Sequence, residues 1–96
     1  MKIAVIGSCM VDLIAYTDSI PKAGETFVAR EFAMGCGGKG ANQAVAAARL
    51  GAEDLMMGRV GDDAVGENTL SNFEQYGVYT RYVSKVAGVS SGVAPI

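Results

Sequence analysis

The segment Gly35-Cys36-Gly37-Gly38-Lys39-Gly40 limits what this chain can fold into more than any other. An alternating apolar run precedes it and an alanine-rich stretch follows it. The backbone must therefore leave an extended segment, turn where there are few side chains, and enter a helix within a few residues. Ala41–Leu50 reads as that helix, with Ala41, Val45, Ala48 and Ala52 at helical spacing. Arg49 suits its last turn and Gly51 its C-terminal cap. The small side chains predict close packing on a sheet.

The flanking segments supply that sheet. Lys2–Gly7 is a short β-branched run, read as a buried strand. Met10–Thr17 is extended, with Met10, Asp12, Ile14 and Tyr16 on one face and Val11, Leu13 and Ala15 on the other. Pro21-Lys22-Ala23-Gly24 carries turn chemistry. Glu25–Met34 alternates again and pairs antiparallel with Met10–Thr17 in the simplest arrangement. Leu55–Val60 reads as a strand. Asp62-Asp63 then open a helix over Ala64–Tyr76 that turns Val65, Thr69, Phe73 and Tyr76 inward and ends at Gly77. Val78–Val86 is extended, and Gly92–Ile96 begins another apolar run. Strands alternating with helices predict an α/β class with a largely parallel sheet, and the strand pair near 10–34 is an addition to it. The apolar run beginning at Gly92 implies a piece of a longer protein, since a strand stopped there leaves backbone unpaired.

Composition removes several function classes. A chain of 96 residues is at most one domain, and a domain this small buries only a little over ~60% of its unfolded surface. The net charge of −2, without runs of like charge, argues against a nucleic-acid or anionic-membrane partner. No apolar run approaches the ~20 residues of a membrane span, and the start is no signal peptide, which makes the cytosol the expected location. With no histidine and only Cys9 and Cys36 as cysteines, neither a zinc site nor a histidine-dependent nucleophile can be assembled. The two cysteines are expected to be reduced thiols, buried or lining a site.

Three chemistries can be tested against the glycine segment. Gly35-x-Gly37-x-x-Gly40 matches a dinucleotide fingerprint, but that motif follows the first strand of its fold, and here the first strand ends at Gly7-Ser8-Cys9. A phosphate loop fails because Gly40 follows Lys39 where a Ser or Thr should hold magnesium. The third is a helix start whose amides and nearby Lys39 and Asn42 meet a polyhydroxylated ligand, and a plain turn and cap shares its spacing. Asp12, a carboxylate among apolar strand residues, should be paired or bound, and it can accept from two neighbouring hydroxyls. A strand aspartate on a solvated face is the structural alternative. Tyr16, Phe27 and Phe32 suit ligand packing or a core, and Asp62-Asp63 suit helix capping better than metal binding.

Taken in order, Val5-Ile6-Gly7-Ser8…Asp12, Pro21…Gly24-Glu25-Thr26, Gly37-Gly38-Lys39-Gly40-Ala41-Asn42-Gln43-Ala44, Arg49-Leu50-Gly51-Ala52 and Val60-Gly61-Asp62-Asp63…Gly66 resemble the opening third of the ribokinase and fructokinase-like sugar kinases. The resemblance implies a partial ribokinase-like, Rossmann-like parallel sheet with flanking helices and a small β lid. The lid would use strands near 10–34 and 90–96 of a single 1–96 unit. By position, Asp12, Gly37, Gly38, Lys39 and Asn42 would bind sugar hydroxyls, with ribose as the expected sugar. The lid would also form a homodimer contact, an exposed sheet edge being the other route. Met10 stands where bacterial relatives commonly carry asparagine, which removes one polar contact.

The complete enzymes of that family transfer the γ-phosphoryl of ATP, with magnesium and potassium, through an aspartate base in a Gly-Ala-Gly-Asp motif. No such motif occurs here. No catalytic residue, metal ligand or cofactor is therefore assigned to these 96 residues, and they are expected to be inactive alone. A self-standing half-domain that binds or dimerises, and a nucleotide-binding α/β domain, are the competing readings.

Overall fold

In the computed structural model, which describes every residue from Met1 to Ile96, eight elements follow one another. They are β1 (Lys2–Ile6), β2 (Met10–Tyr16), β3 (Glu31–Gly37), α1 (Lys39–Arg49), β4 (Glu53–Gly61), α2 (Ala64–Gln75), β5 (Tyr79–Val86) and β6 (Val93–Pro95). Two three-stranded sheets result. The first, β1-β4-β5, is wholly parallel. In the second, β3-β2-β6, the central β2 runs antiparallel to β3 and parallel to β6. The α/β class with a parallel sheet and flanking helices is thus as expected.

The core lies between the parallel sheet and its helices. Val5 pairs in register with Met56, and both face Ala41, Ala44 and Phe73. Alanines on α1 let its backbone approach the sheet, while Phe73 fills the space under α2. Phe73 is 1% exposed, and removing such a ring costs about 3–5 kcal/mol. Ala41 is buried as expected, and Val45 and Ala48 pack at the margin. Ala44, off the expected stripe, is fully buried because α1 lies closest to the sheet at its N-terminal end. On α2, Thr69 and Phe73 face inward, but Tyr76 does not. Tyr76 is the C-cap, outside the helical stripe, and the Arg49 guanidinium sits 5.7 Å from its ring centre.

One strand lies elsewhere than expected. The partner of β2 is Glu31–Gly37, not Glu25–Met34. Tyr16 ends β2 opposite Glu31 and accepts a last hydrogen bond from Arg30 N–H at 2.8 Å, so Glu25–Ala29 have no strand to pair with and Phe27 and Val28 are exposed. The turn before them does form, with Glu25 N–H donating to the Lys22 carbonyl at 3.0 Å. The first three residues of the glycine segment, Gly35–Gly37, are therefore strand.

The parallel sheet is covered on one face only. On the other, Ala4-Leu55-Tyr79 and Ile6-Met57-Tyr82 form two rows across the strands. Parallel sheets are ordinarily covered on both faces. The radius of gyration, 15.4 Å, exceeds the about 12–13 Å of a compact chain this long. No helix is long and apolar enough to cross a membrane.

Asp54 is an exception within the covered face. It lies opposite Ile3, is 1% exposed, and neither carboxylate oxygen has a hydrogen-bond partner. Burial pushes its pKa above the ordinary value of 3.8. A raised folded pKa means that folding favours the proton-bound form. The favourable contribution is complete below the unfolded pKa and is lost as pH rises through the folded one. Replacing Asp54 with valine removes an unpartnered buried group. It should raise stability at neutral pH by about 1–3 kcal/mol, read by urea unfolding, and the gain should shrink as pH falls.

Candidate functional site

Three backbone segments meet where the glycine segment turns into α1. Gly38 is the N-cap with φ of 98°, a left-handed value that suits glycine. A methyl group on Gly38 would lie 2.7 Å from the Ser8 carbonyl oxygen, and one on Gly40 would lie 2.8 Å from Gly7 Cα. The helix start thus rests directly on the segment leaving β1, and Ala41 N–H donates to the Ser8 carbonyl at 3.0 Å. The helix begins at Lys39, two residues before the expected Ala41, because Lys39 and Gly40 already belong to this docked turn.

Asp12 comes to the same place from the second sheet. It occupies mid-β2, between Gly35 of β3 and Ala94 of β6. Its carboxylate lies over Gly37: a methyl built there would be 2.9 Å from Oδ2 and 3.2 Å from Oδ1. A side chain at position 37 would displace it. Asp12 is half-buried, so it is neither the core carboxylate nor the fully solvated one that its strand position allowed. Asp12, Lys39 and Asn42 make no side-chain hydrogen bond or ion pair within the chain. The glycine N-cap supplies no side-chain acceptor either, and no acidic residue lies in the first turn of α1. This region offers a carboxylate acceptor, an exposed lysine amine, an amide and a helix start, the donor and acceptor set for a polyol.

The five sequence-expected residues do not share an enclosed pocket. Asp12 touches Gly37, and Gly37 leads into Gly38, Lys39 and Asn42 along the chain. Asn42 lines a groove of about 390 Å³ between α1 and α2, together with Cys36, Arg49, Asn72 and Tyr76. Asp12, Gly37, Gly38 and Lys39 line none of the five main concavities. Cys36 borders the group, and its thiol receives a hydrogen bond from the Asn68 amide at 3.7 Å. Burial first, and then the charge of Asp12, raise its pKa, so the thiol stays protonated. Both cysteines are free, and Cys9 is buried.

The other candidates resolve differently. Gly35 and Gly37 lie in a strand whose neighbour is antiparallel, so the dinucleotide geometry of a parallel strand feeding a helix is not met. Tyr16, Phe27 and Phe32 are exposed rather than core. Asp63 caps α2, accepting from Gly66 N–H at 2.8 Å, as its position before Ala64 indicated. No three His, Cys, Asp or Glu side chains converge as a metal cage. In the sequence Ser91 enters only as part of the lid strand expected near 90–96. Its contact with Asp63 becomes visible only through the fold.

The sequence profile of the pfkB family of carbohydrate kinases matches residues 1–96, and the chain belongs to that family. A deoxyribokinase of Salmonella typhi is 62% identical over 96 residues, covering 100% of this chain and 31% of that protein. A ribokinase of Bacillus subtilis (strain 168) is 53% identical over 95 residues, 99% of this chain and 32% of that one. The structure of an Arabidopsis thaliana ribokinase complexed with ribose and ATP superposes with a TM-score of 0.84 at 35% identity. It covers 96% of this chain and 30% of that one. The chain thus spans about a third of the length of these relatives.

Gly40→Ala tests the docked turn. Its methyl would meet backbone, which cannot swing aside, so unfolding free energy should fall by about 1–3 kcal/mol. Gly35→Ala, whose methyl would meet nothing within 4 Å, should stay within about 0.5 kcal/mol of the wild type in the same urea titration.

Proposed function

We propose that these residues are the sugar-binding and lid portion of an ATP-dependent, ribokinase-type pentose kinase. The observation that carries this is the Asp12 carboxylate resting on Gly37, beside a helix start that presents Lys39 and Asn42. A carboxylate accepts from two vicinal hydroxyls, while the amide and ammonium donate to others. In this reading the sheet β3-β2-β6 is the lid and the parallel sheet with its helices is the base. The known complex of a relative with ribose and ATP supports the substrate pair.

Phosphoryl transfer depends on positioning the donor phosphates and stabilising their charge. In this reading Asp12 serves the sugar, and the chain carries no Gly-Ala-Gly-Asp motif to supply the base. These 96 residues alone are therefore expected to release no ADP from ATP and ribose. Sugar-dependent ADP release by the purified chain would overturn that. The bare face of the parallel sheet, with Ile6 80% and Tyr79 62% exposed, accords with a portion that further layers cover. The exposed Phe32 and Met34 on β3 suit a homodimer through the lid. Two free thiols suit a cytosolic protein.

Met10 favours a second reading of the sugar. It lies on the Asp12 face of β2, opposite Gly37, and its thioether donates nothing. A ribose hydroxyl facing it would lose its water without a replacement partner. A 2-deoxypentose avoids that loss, and the deoxyribokinase likeness points the same way.

Asp12→Ala should weaken pentose binding about 10- to 100-fold, the worth of hydrogen bonds to a charged acceptor. Calorimetric titration with ribose and with 2-deoxyribose measures this, and unchanged affinity for both would make Asp12 structural. Met10→Asn should shift preference toward ribose by about three- to tenfold.

A further inference from the structure

Asp63 does more than cap α2. Its Oδ1 accepts from Gly66 N–H at 2.8 Å, which satisfies the helix start. The same oxygen accepts from the Ser91 hydroxyl at 2.8 Å, and Oδ2 accepts from Ser91 N–H at 2.9 Å. The Ser91 hydroxyl oxygen in turn accepts from Gly61 N–H at 2.8 Å. One carboxylate and one hydroxyl therefore join the end of β4, the start of α2 and the segment leading into β6. A helix cap needs one oxygen, so the second is committed entirely to Ser91.

The chain beyond Ser91 runs directly into the lid. Val11 N–H donates to the Gly92 carbonyl at 3.1 Å, and Val93–Pro95 pair with Val11–Leu13, placing Ala94 opposite Asp12. Ile96 N–H donates to the Leu13 carbonyl at 2.8 Å, and Ala15 N–H to the Ile96 carbonyl at 3.0 Å. Strand β6 has three residues and no strand neighbour except β2. So short an edge strand holds little position of its own. Its fixed end is Ser91.

We propose that Asp63 and Ser91 form a latch that fixes β6 to the base and so positions β2 and Asp12, although neither residue reaches the candidate sugar site. They are positioning residues. The proposal rests on the sugar-binding reading for its consequence, but not for its geometry.

Two substitutions separate latch from cap. Asn caps helices as well as Asp does, but an amide nitrogen in place of Oδ2 cannot accept from Ser91 N–H. Ser91→Ala leaves the Gly66 bond untouched and removes the hydroxyl links. Hydrogen exchange on the whole encoded protein reads the result at Val11, Ala15 and Ile96 N–H. In Asp63→Asn and Ser91→Ala these amides should exchange about three- to tenfold faster, the effect of one lost hydrogen bond, with α2 amides unchanged. Ribose and 2-deoxyribose affinities should fall by a similar factor, and Ser91→Thr, which keeps the hydroxyl, should restore both. Unchanged exchange at the three amides in both variants would reduce Asp63 to a cap and overturn the latch. Faster exchange with unchanged pentose affinity would overturn the positioning of Asp12. A wild-type protein that binds neither pentose would defeat the functional reading, while exchange would still decide the latch.

Discussion

The contact between Gly40 and the Gly7–Ser8 backbone is the constraint on which the rest of the structure depends. It sets how closely α1 approaches the parallel sheet, and hence why Ala41 and Ala44 suffice as its buried residues. It also fixes where β3 must end, because Gly38 lies against the Ser8 carbonyl. Since β3 pairs with β2 from Gly37 back to Glu31, the register of the second sheet is set from the same point. Larger residues at these positions would separate the parallel sheet, the helix and the second sheet together, since packed backbone has no rotamer with which to yield.

The two helix starts are built in opposite ways. The start of α2 is closed: the Asp63 carboxylate accepts from Gly66 N–H of the first turn, and hydrogen bonds from Ser91 N–H first and Gly66 N–H next lower its pKa. The start of α1 has a glycine cap and no acid in its first turn. Both ends carry the same partial positive charge. At α2 a side-chain carboxylate meets it, whereas at α1 no side chain does and only backbone approaches, with Ala41 N–H donating to the Ser8 carbonyl. Asp54 completes the comparison, because burial pushes the same kind of side chain in the opposite direction. Environment, not residue type, decides what each aspartate does.

Much of this was readable from the residues. The helices follow from spacing and from their terminal glycines, and the α/β order follows from alternation. Asp63 before Ala64 is recognisable as a cap from position alone. Glu25–Arg30 was misleading because alternation reports a strand's shape and not whether a partner exists. The partner's length, set by Tyr16 ending β2, decided that. Tyr76 misled because a stripe projected past the last helical turn no longer faces the sheet. The approach of Asp12 to Gly37 and of Asp63 to Ser91 joins residues far apart in sequence, and no local pattern encodes such pairs. The resemblance named Asp12 but could not supply its contact, and it placed Ser91 in the expected lid strand without its tie to Asp63.

The candidate site divides between two bodies, and this has a mechanical consequence. Lys39 and Asn42 belong to α1, which is fixed to the parallel sheet, whereas Asp12 belongs to the other sheet. The sheets share no strand pairing and meet through the turn at Gly38, the segment between Ile6 and Met10, the Cys36–Asn68 contact of β3 with α2, and the approach to β6 through Ser91. A polyol held by Asp12 and Asn42 together would bridge them, so part of its binding energy would go into restraining one sheet against the other. Affinity then depends on how well the joint is ordered before the sugar arrives, as well as on the donors and acceptors present. A glycine floor beneath Asp12 and a fixed end to β6 both reduce that freedom in advance.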